Sequence, residues 1–202
     1  MTSGKPSLAA KSAKVWSAIG SMTLCVASLI TSEFMLVSLF TPSAHDLGAT
    51  DGTAGQAIAI SGFFAVTTSL LILSAFGRMD RRRLLIGLTA TMLVSRVLTA
   101  CASSFAVLMV ARALLGVTIG GFWSMAPATI VRLVPEATVP KALSVMYMGN
   151  ATGTAFAAPV GSYLGGLIGW RGVFWALVPI AAVTMAWQWR PLPGCRRPDV
   201  CG

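Results

Sequence analysis

The sequence predicts an all-α polytopic membrane protein, a bundle of six transmembrane helices, and three observations predict it. Hydrophobic residues make up 55% of the chain and charged residues only 10%, with a mean hydropathy of +0.78, against roughly 25% charged residues in a soluble domain. The apolar residues gather into six stretches, each long enough to cross a hydrocarbon core of about 30 Å at helical rise. Of the 15 Lys and Arg, 12 fall in alternate connectors and the end segments on one side, which is how basic residues set the orientation of membrane helices.

The spans are read at residues 15–40, 55–76, 84–102, 105–131, 142–168 and 173–189. Lys5, Lys11 and Lys14 put the first start inside, so the loop with His45, Asp46 and Asp51 lies outside. Arg78, Arg81, Arg82 and Arg83 are then inside, Ser103 and Ser104 outside, Arg132 and Lys141 inside, Arg171 outside, and Arg190, Arg196 and Arg197 inside. Residues 1–14 are a cytoplasmic amino-terminal segment, 15–189 the transmembrane domain and 190–202 a basic cytoplasmic tail, so both termini are cytoplasmic. The first apolar run exceeds the 7–15 residues of a signal core, so it is read as a resident span.

The net charge of +9 caps helices on one side rather than forming a patch for nucleic acid, and no nucleic-acid partner is expected. Cys25 and Cys101 lie in spans and Cys195 and Cys201 in the tail, with no disulfide framework implied. Two tail cysteines without a nearby His make no metal site, and no cofactor is expected. A lone His45, with neither Gly-x-Ser-x-Gly nor His-Glu-x-x-His, gives no catalytic set. The chain is not read as an enzyme. Asn150-Ala-Thr152 is a formal glycosylation sequon, but it falls within the fifth span.

Small residues mark packing faces. Gly116, Gly120 and Gly121 mark the fourth span; Gly149, Gly153, Gly161 and Gly165 mark the fifth, where close backbone approach drives association in lipid. Pro159 removes a backbone donor and is expected to bend the fifth span, which together with the flanking glycines gives a packed helix able to hinge. Trp16, Trp170, Trp187 and Trp189 are read as interfacial belt residues.

Charges at membrane depth carry the chemistry. Glu33 lies about seven residues before the outer end of its span, Arg96 about six before, and Arg112 about seven after the start of its own, so helical rise puts all three roughly 10 Å below the outer edge. A charge in hydrocarbon costs about 2.5–3.5 kcal/mol on insertion scales and marks function by default. Arg96 either joins this layer as a partner of Glu33 or snorkels to the headgroups; Glu33 is too short to escape. A carboxylate in an apolar setting favours its protonated form and one beside a guanidinium its ionised form. Alternation between such settings moves protons.

The Asp80-Arg81 pair between spans two and three, Arg112-x-x-x-Gly116-x-x-x-Gly120, and the set Gly153, Pro159, Gly161, Gly165 and Gly166 together resemble the amino-terminal half of a major facilitator superfamily carrier of the twelve-span drug:proton antiporter group. Phe76 and Arg83 stand where the loop motif has glycines, and Ala158 where a glycine precedes the proline. The resemblance implies a conformational role for Asp80 and Arg81, proton transfer at Arg112 with Glu33, and an exporter's hinge at Gly153, Pro159, Gly161 and Gly165. It also implies multi-pass insertion in a bacterial inner membrane.

Stretches such as Gly121-Phe122-Trp123-Ser124-Met125 and Val139-Pro140-Lys141-Ala142 are similar to the purine ribonucleoside exporters of that group. This implies proton-driven export of nucleosides such as inosine, with other drug or sugar exporters as the alternative. Phe122, Trp123 and Tyr147 offer faces on which a purine could stack, and Gln56, Ser124, Thr129 and Asn150 offer hydrogen bonds; the aromatics equally suit packing or lipid contact.

Such carriers place a midplane site between two six-span halves, and this sequence carries six spans before a polar, Pro- and Cys-containing end. The expectation is a truncated or frameshifted half that works with a second half or as a homodimer. The alternative is a remnant that inserts and transports nothing.

Overall fold

The computed structural model describes residues 8–39, 51–75 and 81–189, with side chains for 15–39, 55–72 and 82–189. Five helices hold almost all of these: α1 (Leu8–Ser38), α2 (Asp51–Ala75), α3 (Arg81–Ala100), α4 (Phe105–Leu133) and α5 (Val139–Trp189). Each contains a stretch long and apolar enough to cross a membrane.

Five candidate spans stand where six were expected, because the fifth and sixth are not separate helices. They join as α5, whose one residue with non-helical dihedrals is Gly169, at φ 71° and ψ 161°. Lacking a Cβ, glycine takes that left-handed region at little cost, so one residue does the work of the four-residue connector expected around Arg171. The arms are 139–168 and 170–189. Pro159 sits inside the helix, and the backbone departs from helical dihedrals ten residues later.

Local sequence explains the other ends. Ser104 caps α4, its Oγ accepting from the Val107 amide at 3.4 Å, a hydroxyl satisfying one of the first-turn amides that a helix leaves unbonded. Between Pro135 and Pro140 the chain makes a single 3-10 turn at Glu136–Thr138, and Pro140 falls in the first turn of α5, where its missing N–H costs nothing.

Two helix pairs form the bundle by close backbone contact, each in constant register. Along α2 and α4, Ala57 lies against Arg112, Ser61 against Gly116, Ala65 against Gly120 and Ser69 against Ser124. Along α1 and the first arm of α5, Thr23 lies against Gly149, Ala27 against Gly153, Met35 against Gly161 and Leu39 against Gly165. A methyl group at Gly116 or Gly120 would overlap the carbonyl of Ser61 or Ala65, and one at Gly149 the carbonyl of Thr23. These contacts give the expected small-residue faces their partners. Helices gain little in lipid by hiding apolar side chains from one another, so such backbone approach carries much of the association.

Apolar side chains fill the space between the pairs and α3 in two clusters. One contains Met22, Leu29, Leu85, Met92, Leu115, Phe122 and Met146. The other lies toward the opposite end and contains Met35, Leu39, Leu108, Trp170 and Phe174. Trp170, expected in the interfacial belt, is instead buried, with the Arg171 guanidinium 4.8 Å from its ring centroid. Trp16, Trp187 and Trp189 are exposed as expected.

The ends of the bundle sort the connector residues into two sets. At the start of α1, Lys141 lies over Trp16, the Trp187 indole donates to Ser17 at 3.0 Å, and Arg82 donates to the Trp189 carbonyl. At the other end, Arg171 donates to the Ala102 carbonyl at 2.9 Å. The loop residues His45 and Asp46 and the tail 190–202 lie outside the described residues.

Candidate functional site

The site is built where α1, α2 and α4 meet. Arg112 Nη2 lies 2.6 Å from Glu33 Oε1, with side-chain exposures of 2% and 20%. Ser61 of α2 stands between them: Nη2 donates to its Oγ at 2.9 Å, and Oγ lies 3.1 Å from Glu33 Oε1 and 2.9 Å from the Ile58 carbonyl. Arg112 Nε donates to the Ala57 carbonyl at 3.3 Å. The guanidinium is thus tied to α1 by the carboxylate and to α2 by a hydroxyl and a carbonyl.

The backbone register makes this reach possible. Arg112 and Gly116 are one turn apart on α4, and only the missing side chain at Gly116 lets the α2 backbone at Ser61 come close enough for its hydroxyl to meet the guanidinium. The Arg-x-x-x-Gly spacing is therefore one device with two parts, a charge and the gap that brings it a partner.

The contact between the charges is one-sided. Glu33 Oε2 and Arg112 Nη1 are buried with no hydrogen-bond partner among the described residues. A charge-assisted bond this short is strong, while an unpaired polar atom in a low-dielectric setting is costly. The carboxylate therefore offers a free oxygen for a proton, and the guanidinium a free N–H for a polar ligand.

Arg96 does neither of the things expected of it. It is 1% exposed, so it does not snorkel, and it does not reach Glu33. Its Nη1 donates to the Leu177 carbonyl at 2.7 Å, and its Nη2 to the Ser28 carbonyl at 2.5 Å and Ser28 Oγ at 2.8 Å. Side chains on a helix lean toward its amino terminus, which carries the guanidinium away from the Glu33 level to that of Ser28, five residues earlier on α1. Arg96 thereby pins α3 to α1 and to the second arm of α5. Nearby, Thr89 donates to Gln188 Oε1 at 2.8 Å, and Cys25 lies 3.8 Å from the Thr89 hydroxyl.

The expected aromatic set divides. Trp123 and Tyr147 stack across α4 and α5, with ring centroids 5.7 Å apart and planes at 25°. Trp123 also lines a shallow, open apolar cavity on the bundle surface with Ala65, Val66, Ser69, Leu70, Ile119 and Gly120. Phe122 is fully buried in the core, which removes it from any surface a ligand could reach. The Ser124 hydroxyl is 2.8 Å from that of Ser69, and Thr129 is buried.

Asn150 is half-buried about one turn after Tyr147, while Gln56 is exposed near the start of α2. In the α2–α4 register Gln56 lies about 18 Å along the axis from the Trp123 level at helical rise, so it does not join the aromatic pair.

Gly153, Gly161 and Gly165 all turn toward α1, whereas Pro159 is exposed. Asp80 and the Arg81 side chain lie outside the described residues, as do Cys195 and Cys201. Among the described residues no group of three or more His, Cys, Asp or Glu could hold a metal ion.

The sequence reading missed Ser61, Ala57 and Ser28. A signal for Ser61 was present, because Ser61, Ala65 and Ser69 repeat at four-residue spacing and complement Gly116 and Gly120.

Comparison with known proteins adds the family. The Major Facilitator Superfamily model matches residues 22–198. The chain is 54% identical over 181 residues to the "Transcription regulatory protein OpdE" of Pseudomonas aeruginosa, covering 90% of this chain and 45% of that protein. It is 43% identical over 178 residues to the "Purine ribonucleoside efflux pump NepI" of Salmonella typhimurium and, equally, of Salmonella typhi, covering 88% of this chain and 45% of each pump. The chain thus spans a little under half the length of these curated relatives.

Proposed function

The chain belongs to the major facilitator superfamily, and from that premise we propose that it serves proton-coupled export, with purine ribonucleosides such as inosine as the substrate class. The observation that carries this reading is the Glu33–Arg112 pair at 2.6 Å, bridged by Ser61 and placed within membrane-spanning helices. Two of the relatives are named as purine ribonucleoside efflux pumps. Another is named as a transcription regulatory protein, but a buried ion pair with one free acceptor and one free donor is the chemistry of proton and solute exchange.

In this reading Glu33 is ionised while it holds Arg112. A proton arriving from outside bonds to Oε2, the carboxylate oxygen without a partner, and neutralises the group. The charge attraction between α1 and α4 is lost, which frees the two helices to move apart. Return of the proton to the inner side restores the pair, so proton entry is tied to substrate exit.

The substrate surface is the open cavity beside Trp123, whose ring is its aromatic wall and stacks on Tyr147. Asp80 and Arg81 act as a conformational latch, and Gly153, Pro159, Gly161 and Gly165 as the flexing part of the fifth span. Both termini face the cytoplasm of a bacterial inner membrane. The apolar faces of α2, with Phe63 67% and Leu70 73% exposed, and of α5, with Phe156 and Tyr163, supply the seam for a second six-span unit or a second copy.

The test is efflux of inosine from loaded vesicles holding the 202-residue chain, with and without an inward proton gradient, beside Glu33→Gln. Gradient-dependent efflux that disappears in the variant is the expected result. Efflux indifferent to the gradient or to Glu33→Gln, or no efflux from chain shown to be inserted, overturns the reading.

A further inference from the structure

The Ser61 hydroxyl carries one proton and has two acceptors within reach, Glu33 Oε1 at 3.1 Å and the Ile58 carbonyl at 2.9 Å. Its oxygen also accepts from Arg112 Nη2. An ionised carboxylate is the stronger acceptor and takes the hydroxyl proton. Once Glu33 is neutral, the Ile58 carbonyl of Ser61's own helix is the better acceptor, and the hydroxyl turns to it. In both orientations Oγ keeps a lone pair for the guanidinium.

We propose that Ser61 is a positioning residue for Arg112, holding its guanidinium on α2 when Glu33 is protonated. The inference deepens the proton-coupling reading and rests on it. Without such a hold, protonation of Glu33 would leave Arg112 buried with only the Ala57 carbonyl at 3.3 Å, an unpaired charge at high cost. With it, the proton loosens one seam alone. Glu33 lets go of the α2–α4 pair, while α2 and α4 stay joined through Ser61, Gly116, Gly120 and the Ser69–Ser124 contact.

The groups that face Ser61 support a local role. Glu33 comes from α1 and Arg112 from α4. Arg96 of α3 is occupied at Ser28 and Leu177, so it does not compete. Ser61 is itself only 2% exposed, which keeps water from substituting freely for its hydroxyl.

The experiment is a double-mutant cycle on the full 202-residue chain in lipid nanodiscs, read as thermal unfolding midpoints. Glu33→Gln stands for the protonated state. The hydroxyl matters more when the carboxylate charge is absent, so Ser61→Ala should lower the midpoint about twice as far in the Glu33→Gln background as in the wild type, a coupling of the kind such cycles isolate. Ser61→Thr keeps the hydroxyl and should restore the midpoint in both backgrounds.

Equal drops in the two backgrounds, or no rescue by threonine, would reduce Ser61 to ordinary packing and overturn the inference. The melts need no transport, so a chain that exports nothing refutes the proposed function while the cycle still decides Ser61. Where export is measured, Ser61→Ala should depress gradient-driven efflux about tenfold and Ser61→Thr should restore it.

Discussion

Glu33 and Arg112 meet through one oxygen and one nitrogen, Oε1 and Nη2, while Oε2 and Nη1 are left without partners among the described residues. A bidentate pair would be harder to part. Removing one partner leaves the other charge buried, whereas removing both does not. Glu33 is one-fifth exposed, so Glu33→Ala is expected to cost roughly 2–3 kcal/mol, somewhat less than the about 3–5 kcal/mol of a fully buried broken pair. The double variant Glu33→Ala with Arg112→Met should recover more than half of that loss. Denaturant unfolding of the four proteins in one detergent decides it; a double variant weaker than either single change would mean that the pair is not the source of the cost.

The α2–α4 contact predicts a sharp contrast among glycines. A Cβ at Gly120 would strike the Ala65 carbonyl, whereas one at Gly166 would meet nothing within 4 Å. Gly120→Ala should therefore destabilise by about 1–3 kcal/mol through overpacking, and Gly166→Ala should be neutral or stabilising by up to about 1 kcal/mol from helix propensity. Thermal melts of the two variants, with Gly153→Ala as a second test of the α1–α5 face, check this. Similar behaviour of Gly120 and Gly166 would mean that α2 and α4 are not held backbone to backbone.

Arg96 predicts a loss without a countercharge. Its guanidinium spans from Ser28 on α1 to Leu177 on α5, and a lysine has one head where arginine has a fork. Arg96→Lys should thus fail to hold both helices and cost about 1–3 kcal/mol, in the range of hydrogen bonds to a charged group. Unfolding of Arg96→Lys beside Arg96→Met measures it, and wild-type stability in the lysine variant would argue that a single anchor suffices.

What was legible in the sequence follows from these residues. The shared depth of Glu33 and Arg112 could be counted, because helical rise converts residue number to level. The level of the Arg96 head could not be read from its Cα alone, since a long side chain displaces its charge by about a turn. Phe122 and Trp123 are adjacent and both apolar, and a surrounding as apolar as the core leaves no polar face to say which points inward. The break at Gly169 falls within the connector read at 169–172, but its one-residue form was masked by Arg171, a charge that reads as a loop but folds back onto Trp170 and the Ala102 carbonyl.

Gly169 itself is open to test. With φ 71° and ψ 161° it occupies a backbone region that is essentially glycine-only, and Gly169→Ala is expected to cost roughly 1–3 kcal/mol to adopt it. There is space for the methyl group, since nothing lies within 4 Å, so the penalty is conformational and not steric. Gly169→Asn carries a Cβ into the same glycine-only region and should lose about as much. If both variants melt like the wild type, the turn is set by packing of Trp170 and not by the backbone.

The two neighbouring aromatics of α4 should separate stability from substrate. Phe122 is enclosed by core side chains, and Phe122→Ala is expected to lower stability by about 3–5 kcal/mol as a large truncation, with no preference among substrates. Trp123 borders the cavity and stacks on Tyr147. Replacing it by alanine removes an aromatic face worth about 0.5–1.5 kcal/mol beyond its area, which corresponds to about 2- to 12-fold in apparent affinity for a purine nucleoside. Trp123→Phe keeps a ring and should retain most of that affinity. Competition by inosine, measured against a ribose lacking the base, separates stacking from sugar recognition: loss for both in Trp123→Ala would place the base elsewhere, while loss for inosine alone puts it against the Trp123 ring.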